Sequence, residues 1–426
     1  MFRIDGFFNP YLAPGQTRLD AVLTITSDSS VGAALPIGKR VVGFVIDISG
    51  SMSGDKLSQA KLAARRGIDM LDEAIWFFVV AFNGAAQVIV SACAATSGNK
   101  AVAHNAVQEL SANGSTAMSR GLDLARQQVL RSGAAMASVY FQTDGENDIG
   151  DSAQLSQVID SCQGLFQCDC RGIGTAWKPA ELRMIASALL GTADAVTDPS
   201  GLEEDFRAFL SRSMSKGVAS ATLRLWSPKV VKLMGAKQVS PEIVDQLPLS
   251  KRIDDKTLDI PLGAWGSEAR DFQLVFEMPA GTLGDEMLAC RASIIFAGPE
   301  GETKVSCDPV AVTWSTDDSL TTRISKEVAH YTGQSELASS IQQGLEARVH
   351  GDEDKATRLL GRAAQLAEQT GNEEITRRLR KVVDVLDAAT GTVRLRKADK
   401  AAEMELEMGG TRTVRRRAAP APVTPI

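Results

Sequence analysis

An apolar run at residues 41–46 stops abruptly at Asp47-Ile48-Ser49-Gly50-Ser51. Six successive apolar positions read as a buried strand, and the strand ends in an oxygen-rich loop. Asp47, Ser49 and Ser51 alternate, so their side chains converge if the extended geometry carries into the loop. One carboxylate and two hydroxyls suit a hard divalent cation such as Mg²⁺; Mn²⁺ and Ca²⁺ accept the same oxygen ligands.

The rest of the chain is rich enough in apolar residues to build the sheet this run demands. Of 426 residues, 44% are hydrophobic and 23% charged, the balance of a globular protein of two or three domains. A net charge of −6 gives no overall field that favours nucleic acid. Asp5, Gly6 and Pro10 interrupt any apolar region at the start, so no signal peptide is expected, and no run reaches the ~20 residues that span a bilayer. A cytoplasmic protein with reduced thiols follows as the expectation. Cys162, Cys168 and Cys170 lack a fourth ligand at zinc spacing, and His104, His330 and His350 form no metal-binding pair.

The pattern changes character along the chain. Residues 1–36 form a β segment: Leu19, Ala21, Leu23 and Ile25 alternate with polar or smaller neighbours, and the segment is expected to join a β domain further on. Residues 37–216 alternate strands and helices. Residues 57–71 carry helical spacing, 75–82 form a run covered on both faces, and 138–142 and 168–173 are further strands. This predicts an α/β, Rossmann-like domain, a mostly parallel sheet with helices on both faces. Residues 217–316 carry short strands separated by turn chemistry, as in a β-sandwich. Residues 317–390 predict a C-terminal helical bundle, with helices at 320–331, 336–344, 352–370 and 373–388 broken at Gly333, Gly351 and Gly371. Residues 391–426 predict a flexible tail in which Arg394, Arg396, Lys397, Lys400, Arg412, Arg415, Arg416 and Arg417 outnumber the acids. Thr411 and Thr413 are candidate phosphorylation sites there.

Ligand sites of open parallel sheets lie at the carboxyl ends of strands. Asp47 and Asp144 each end a strand, and Thr116 precedes a helix. The candidate metal set is therefore Asp47, Ser49, Ser51, Thr116 and Asp144, with water in the remaining positions. An EF-hand starting at Asp144 fails, because Ile149 stands where glycine is needed and Leu155 where glutamate is needed. No phosphate-loop motif is present.

Asp47-Ile48-Ser49-Gly50-Ser51-Met52, Gly114-Ser115-Thr116-Ala117-Met118 and Thr143-Asp144-Gly145-Glu146-Asn147-Asp148 together resemble the three-part metal-ion-dependent adhesion site (MIDAS) of the von Willebrand factor A (VWA) domain. Gly172 to Trp177 and Glu181 to Ala186 resemble that family's last core strand and helix. Residues 168–175 and 327–338 also resemble bacterial, chiefly actinobacterial, cytoplasmic members. The resemblance implies that Ser49, Ser51 and Thr116 touch the metal while Asp47 and Asp144 act mainly through water or hydrogen bonds. A cation held by neutral hydroxyls keeps much of its charge and attracts a carboxylate from a partner protein.

Three functions follow from this reading. The first is a metal-dependent protein-binding module, not an enzyme, acting as an adaptor. The second is a signalling or stress-resistance scaffold that binds through its helical end or tail, with the metal structural. Its family context is kinase, phosphatase and forkhead-associated proteins, or tellurite-resistance clusters. The third, a metal-dependent hydrolase, lacks a base: neither an HExxH nor a GxSxG motif is present, and His104, the histidine nearest in sequence, falls within a helix.

Overall fold

The computed structural model describes residues 2–28, 38–298, 301–397 and 399–416. The chain opens with strands β1 (Phe2–Phe8), β2 (Tyr11–Leu12) and β3 (Arg18–Ser27). It then alternates: β4 (Arg40–Asp47), α1 (Asp55–Asp69), β5 (Ile75–Phe82), β6 (Ala86–Ala94), α2 (Ser97–Gln108) and α3 (Met118–Ser132). β7 (Met136–Thr143), α4 (Ser152–Cys162), β8 (Gln167–Ile173), α5 (Pro179–Ala188), β9 (Ala193–Val196) and α6 (Leu202–Met214) complete this part. Among the described residues its sheet has the order β6-β5-β4-β7-β8-β9. All pairs are parallel except β5–β6, where β6 closes the edge antiparallel.

The apolar run in β4 is explained by its central place. Val41 and Val45 face a core with Leu122 and Val129 of α3, Val158 of α4 and Ile185 of α5. Val42, Phe44 and Ile46 face the opposite core, with Leu57 and Ile68 of α1, Val107 of α2 and Phe206 of α6. Gly43 admits the Phe78 ring of β5, which a Cβ would meet at 2.1 Å. Burying a Phe or Ile side chain on either face stabilises by about 1.5–3 kcal/mol, which fixes the register strand by strand.

Beyond α6 come β10 (Lys216–Trp226), β11 (Lys232–Ser240), β12 (Val244–Asp245), β13 (Lys251–Arg252) and β14 (Thr257–Gly266). β15 (Ala269–Glu277), β16 (Glu286–Gly298), β17 (Gly301–Ser306) and β18 (Val310–Trp314) follow. Two sheets, β1-β3-β15-β11-β12 and β13-β14-β10-β16-β18-β2, enclose one core that includes Leu23, Leu223, Phe272 and Trp314. The N-terminal strands enter both sheets, so the α/β part is threaded into a β-sandwich between β3 and β10.

The helical end is α7 (Asp318–Thr321), α8 (Lys326–Val349), α9 (Glu353–Thr370) and α10 (Glu373–Val382), then a hairpin of β19 (Val383–Asp387) and β20 (Thr392–Leu395), and α11 (Lys400–Gly409). Three expectations are corrected here. The helices expected to part at Gly333 are one helix, α8. A lone internal glycine costs only about 1 kcal/mol, and flanking contacts offset it: Tyr331 donates to buried Asp271, and Gln334 donates to Val414 O at 2.8 Å. The helix expected to reach residue 388 ends at Val382, because Val383 pairs with Leu395 and Val385 with Val393 across the hairpin instead.

The third correction concerns the tail expected at 391–426. Residues 392–416, apart from 398, are built into the body; residues 417–426, with Arg417, lie outside the described residues. Met404 and Met408 of α11 join the core beneath α5, while Ala402 and Leu406 join the helical core. Residues 411–416 then cross the sandwich. Ile243 N donates to Thr411 O at 2.8 Å and Thr413 N to Pro241 O at 2.9 Å. The hydroxyls of Thr411 and Thr413 are spent on Glu242 Oε1 and Val239 O, each at 2.7 Å. Three of the arginines pair with acids from elsewhere in the chain: Arg412 with Asp194 and Glu374, Arg415 with Asp271, Arg416 with Glu327.

Candidate metal centre

Asp47 closes β4 with both carboxylate oxygens held. Ser49 N donates to Oδ1 at 2.7 Å, and the Thr143 hydroxyl, at the end of neighbouring β7, donates to Oδ2. The loop then makes a short helical turn, Gly50–Met52, which brings Ser49 Oγ and Ser51 Oγ to 3.1 Å from each other. Ser51 Oγ donates to Asp144 Oδ1 at 2.7 Å, and the ammonium of Lys56 pairs with Asp144 Oδ2. Asp47 and Asp144 are both 0% exposed, whereas Ser51 opens to solvent. Burial pushes the Asp47 carboxyl up, hydrogen bonds from Thr143 and Ser49 pull it back, and the charge of Asp144 adds to the rise.

The second loop is laced to the first by its backbone. Gly50 N donates to Gly114 O at 3.0 Å and Asn113 N to Ile48 O at 2.8 Å. Gly114 takes φ +79°, a left-handed turn, and packs on Asn83, whose amide donates to Asn113 O at 2.9 Å. The third loop holds the second through Asp148. Its carboxylate accepts from Ser115 Oγ at 2.6 Å and Thr116 N at 3.3 Å, and its own N donates to Thr116 O at 2.8 Å. Helix α3, which starts just after Thr116, has no side-chain cap of its own. Asn147 and Asp151 supply it, accepting from Met118 N and Ser119 N at 2.9 Å each, which satisfies orphan amides and suits the helix dipole. Glu181 of α5 anchors this loop through Asn147 N at 2.9 Å.

Gly145 shows whether these residues fit a cation. A Cβ there would lie 3.1 Å from Thr116 Oγ1 and 3.5 Å from Ser51 Oγ, so both hydroxyls face the space that glycine leaves open. Ser51 Oγ links this space to Ser49 Oγ and to Asp144, and Asp47 is tied to the same loop through Ser49 N, so the loops offer an all-oxygen donor set, the kind that Mg²⁺, Mn²⁺ or Ca²⁺ takes. Two carboxylates removed from water are costly unless positive charge accompanies them. The residues present therefore fit a hard divalent ion.

Sequence reasoning did not single out Thr143, Gly145, Asp148 or Lys56 as parts of this site. Thr143, Gly145 and Asp148 were within the quoted motif, but their types also fit turns and caps. Lys56 carried one signal, a cation in the first turn of a helix, where the dipole disfavours it. His104 lies 3.0 Å from Asp69, the last residue of α1. The metal loops meet the first turn of that helix, about 20 Å away along its axis. Cys168 Sγ and Cys170 Sγ are 3.9 Å apart in a buried strand, and burial pushes the Cys162 thiol up to about 12. All six cysteines are free thiols.

The same architecture is found in known proteins. A von Willebrand factor type A structure from Catenulispora acidiphila is 39% identical, with a TM-score of 0.90 over 97% of each chain. This chain belongs to the von Willebrand factor type A family. The family's A-domain model matches residues 40–195, and a von Willebrand factor type A C-terminal domain model matches residues 365–410. An uncharacterized protein of Synechocystis sp. is 31% identical over 211 residues, 47% of this chain and 49% of that protein. The bovine inter-alpha-trypsin inhibitor heavy chain H1 is 36% identical over 149 residues, 32% of this chain and 16% of that one. The chain thus matches about half the length of the first of these relatives and a smaller part of the second. The ArnB paralog VWA2 of Sulfolobus acidocaldarius shares the fold over 97% of this chain and 98% of that chain, with a TM-score of 0.62 at 14% identity. VWA domains are protein-interaction modules that typically bind a divalent cation. Among the described residues no helix is long and apolar enough to cross a membrane.

Proposed function

We propose that this VWA protein is a metal-ion-dependent protein-binding module, an adaptor in a bacterial cytoplasmic complex. Ser49, Ser51 and Thr116 would hold a divalent cation, with Asp47 and Asp144 behind them. When bound, that cation supplies an open coordination position for a carboxylate of the partner protein. The chain's own residues do the rest. Thr143 and Ser49 N fix Asp47, Asp148 fixes the loop that carries Thr116, and Ser51 lies on the open side where a partner approaches.

The observation that carries this reading is the convergence of Thr116 Oγ1 and Ser51 Oγ on the space above Gly145, beside two buried carboxylates. A hydrolytic role would need a base at this place, and His104 lies beside Asp69 at the far end of α1. A scaffold that binds through its helical end or tail is disfavoured at residues 411–416, because Thr411, Arg412, Thr413, Arg415 and Arg416 are engaged within the chain.

Affinity capture with the full chain, in Mg²⁺ and then in chelator, tests the proposal. Partners retained in Mg²⁺ should be released by chelator and lost with Asp47→Ala or Thr116→Ala. Equal recovery by the folded variants would overturn it.

A further inference from the structure

We propose that Lys56 is a resident counter-cation of this site, held on Asp144 and displaced when a divalent ion binds. The proposal rests on the metal reading above and goes beyond it, because it assigns a role to a residue outside the five oxygen donors.

Lys56 is the second residue of α1, where its charge opposes the helix dipole. Nothing in the helix favours a lysine there, so its place must be justified by what it reaches. Its stem passes over Gly174, where a Cβ would stand 3.6 Å from Lys56 Cε and 4.0 Å from Nζ. Gly174 takes φ +67° just beyond the end of β8, a backbone conformation that favours glycine. The ammonium then meets Asp144 Oδ2 and lies 3.4 Å from Ser51 O. The Lys56 side chain is 30% exposed and Asp144 is 0% exposed. The other nearby lysine, Lys178, pairs with Glu146 at 2.6 Å.

Asp144 thus has one oxygen on a Ser51 hydroxyl and the other on an ammonium. Asp47 and Asp144 are two buried negative charges, and Lys56 offsets one of them without metal. A divalent ion on the Ser51 side of Asp144 and the ammonium on its other oxygen would repel each other strongly in a poorly screened place. The helix dipole also favours the lysine's departure. Its exposed flank and four-carbon stem let the charge swing into water while the stem stays over Gly174. Metal and ammonium therefore compete for Asp144, and the site carries a built-in brake on metal affinity.

Titration of the metal-free full chain with Mn²⁺, read by the paramagnetic resonance of free Mn²⁺, tests this. Lys56→Met should bind about tenfold more tightly than the wild type, the scale of a typical site-to-site coupling. Circular dichroism checks that the variant folds. Independently, reductive methylation of Lys56 in the wild-type chain, followed by peptide mass spectrometry, should be faster with Mg²⁺ than with chelator. Unchanged or weaker Mn²⁺ binding by folded Lys56→Met overturns the role of Lys56 alone, as does metal-independent methylation in a wild type that binds Mn²⁺. Absence of Mn²⁺ binding by both chains overturns the metal reading itself.

Discussion

The Thr143 hydroxyl donates to Asp47 Oδ2, reaching from the end of β7 to the end of β4. It takes the one oxygen of Asp47 that Ser49 N leaves free. Thr143→Val keeps the shape and removes the donor, so a buried carboxylate oxygen loses its partner. Such a loss costs about 1–3 kcal/mol. The expected result is a lower melting temperature and weaker Mn²⁺ binding in the same variant, read by thermal unfolding and titration. A variant with wild-type values for both would show that Asp47 is held by Ser49 alone.

Gly145→Ala isolates the cradle. Gly145 does not take a positive φ, so alanine meets no backbone penalty there. Its methyl would lie 3.1 Å from Thr116 Oγ1, closer than ordinary van der Waals contact, and would fill the space the hydroxyls face. Thermal stability should fall by about 1–3 kcal/mol, the usual cost of adding a methyl to a packed site. Divalent-ion binding by calorimetry should fall clearly. Unaltered binding would place the cation elsewhere.

How far these features could be read from the sequence depended on whether the local pattern and the final environment agreed. β4 and β5 are apolar at nearly every position because both faces are buried, so pattern and fold coincide. The five oxygen donors fall in three short segments at strand ends or before a helix, where residue type and place both suggest a ligand site. Lys56 and Thr143 were not singled out because their significance lies in a partner 88 or 96 residues away. α11 was misread for a different reason. Ala402, Met404, Leu406 and Met408 alternate like a strand, yet form a helix wedged between two bodies and buried on both sides. Period two in a helix marks two apolar faces, not an exposed tail.

That wedge has a measurable consequence. Leu406 is 0% exposed within the helical core. Leu406→Ala should cost about 2–5 kcal/mol and make residues 392–416 sensitive to limited proteolysis. Deleting residues 391–426 removes the same contacts together with Met404 and Met408, so the truncated chain should aggregate or unfold early. A truncated chain that melts like the full one would show that α11 contributes nothing to the body.

Glu268 gives the protein an acid-sensitive junction where β10 leaves the α/β part. Its carboxylate accepts from Lys216 Nζ at 2.8 Å, Arg270 Nη2 at 2.7 Å and Gly266 N at 3.0 Å. Burial pushes the Glu268 carboxyl up, but Arg270 and Lys216 outweigh burial and hold it at about 2, below its ordinary 4.5. Burial and Arg270 push the Lys216 ammonium down while Glu268 pulls it up, and of the two cations Arg270 has the larger hold on Glu268. A carboxyl lowered on folding stabilises the protein above its unfolded value, and that stability drains away as the pH falls from about 4.5 towards 2. The side chain is 31% exposed, so solvent screening reduces the effect; about 1–2 kcal/mol is the expected size at neutral pH. Glu268→Gln should therefore unfold at lower urea than the wild type at pH 7. The gap should narrow steadily below pH 4.5 as the wild type loses the charge that glutamine never had. A gap that stayed constant from pH 7 to pH 3 would mean the contact acts by packing, not by charge.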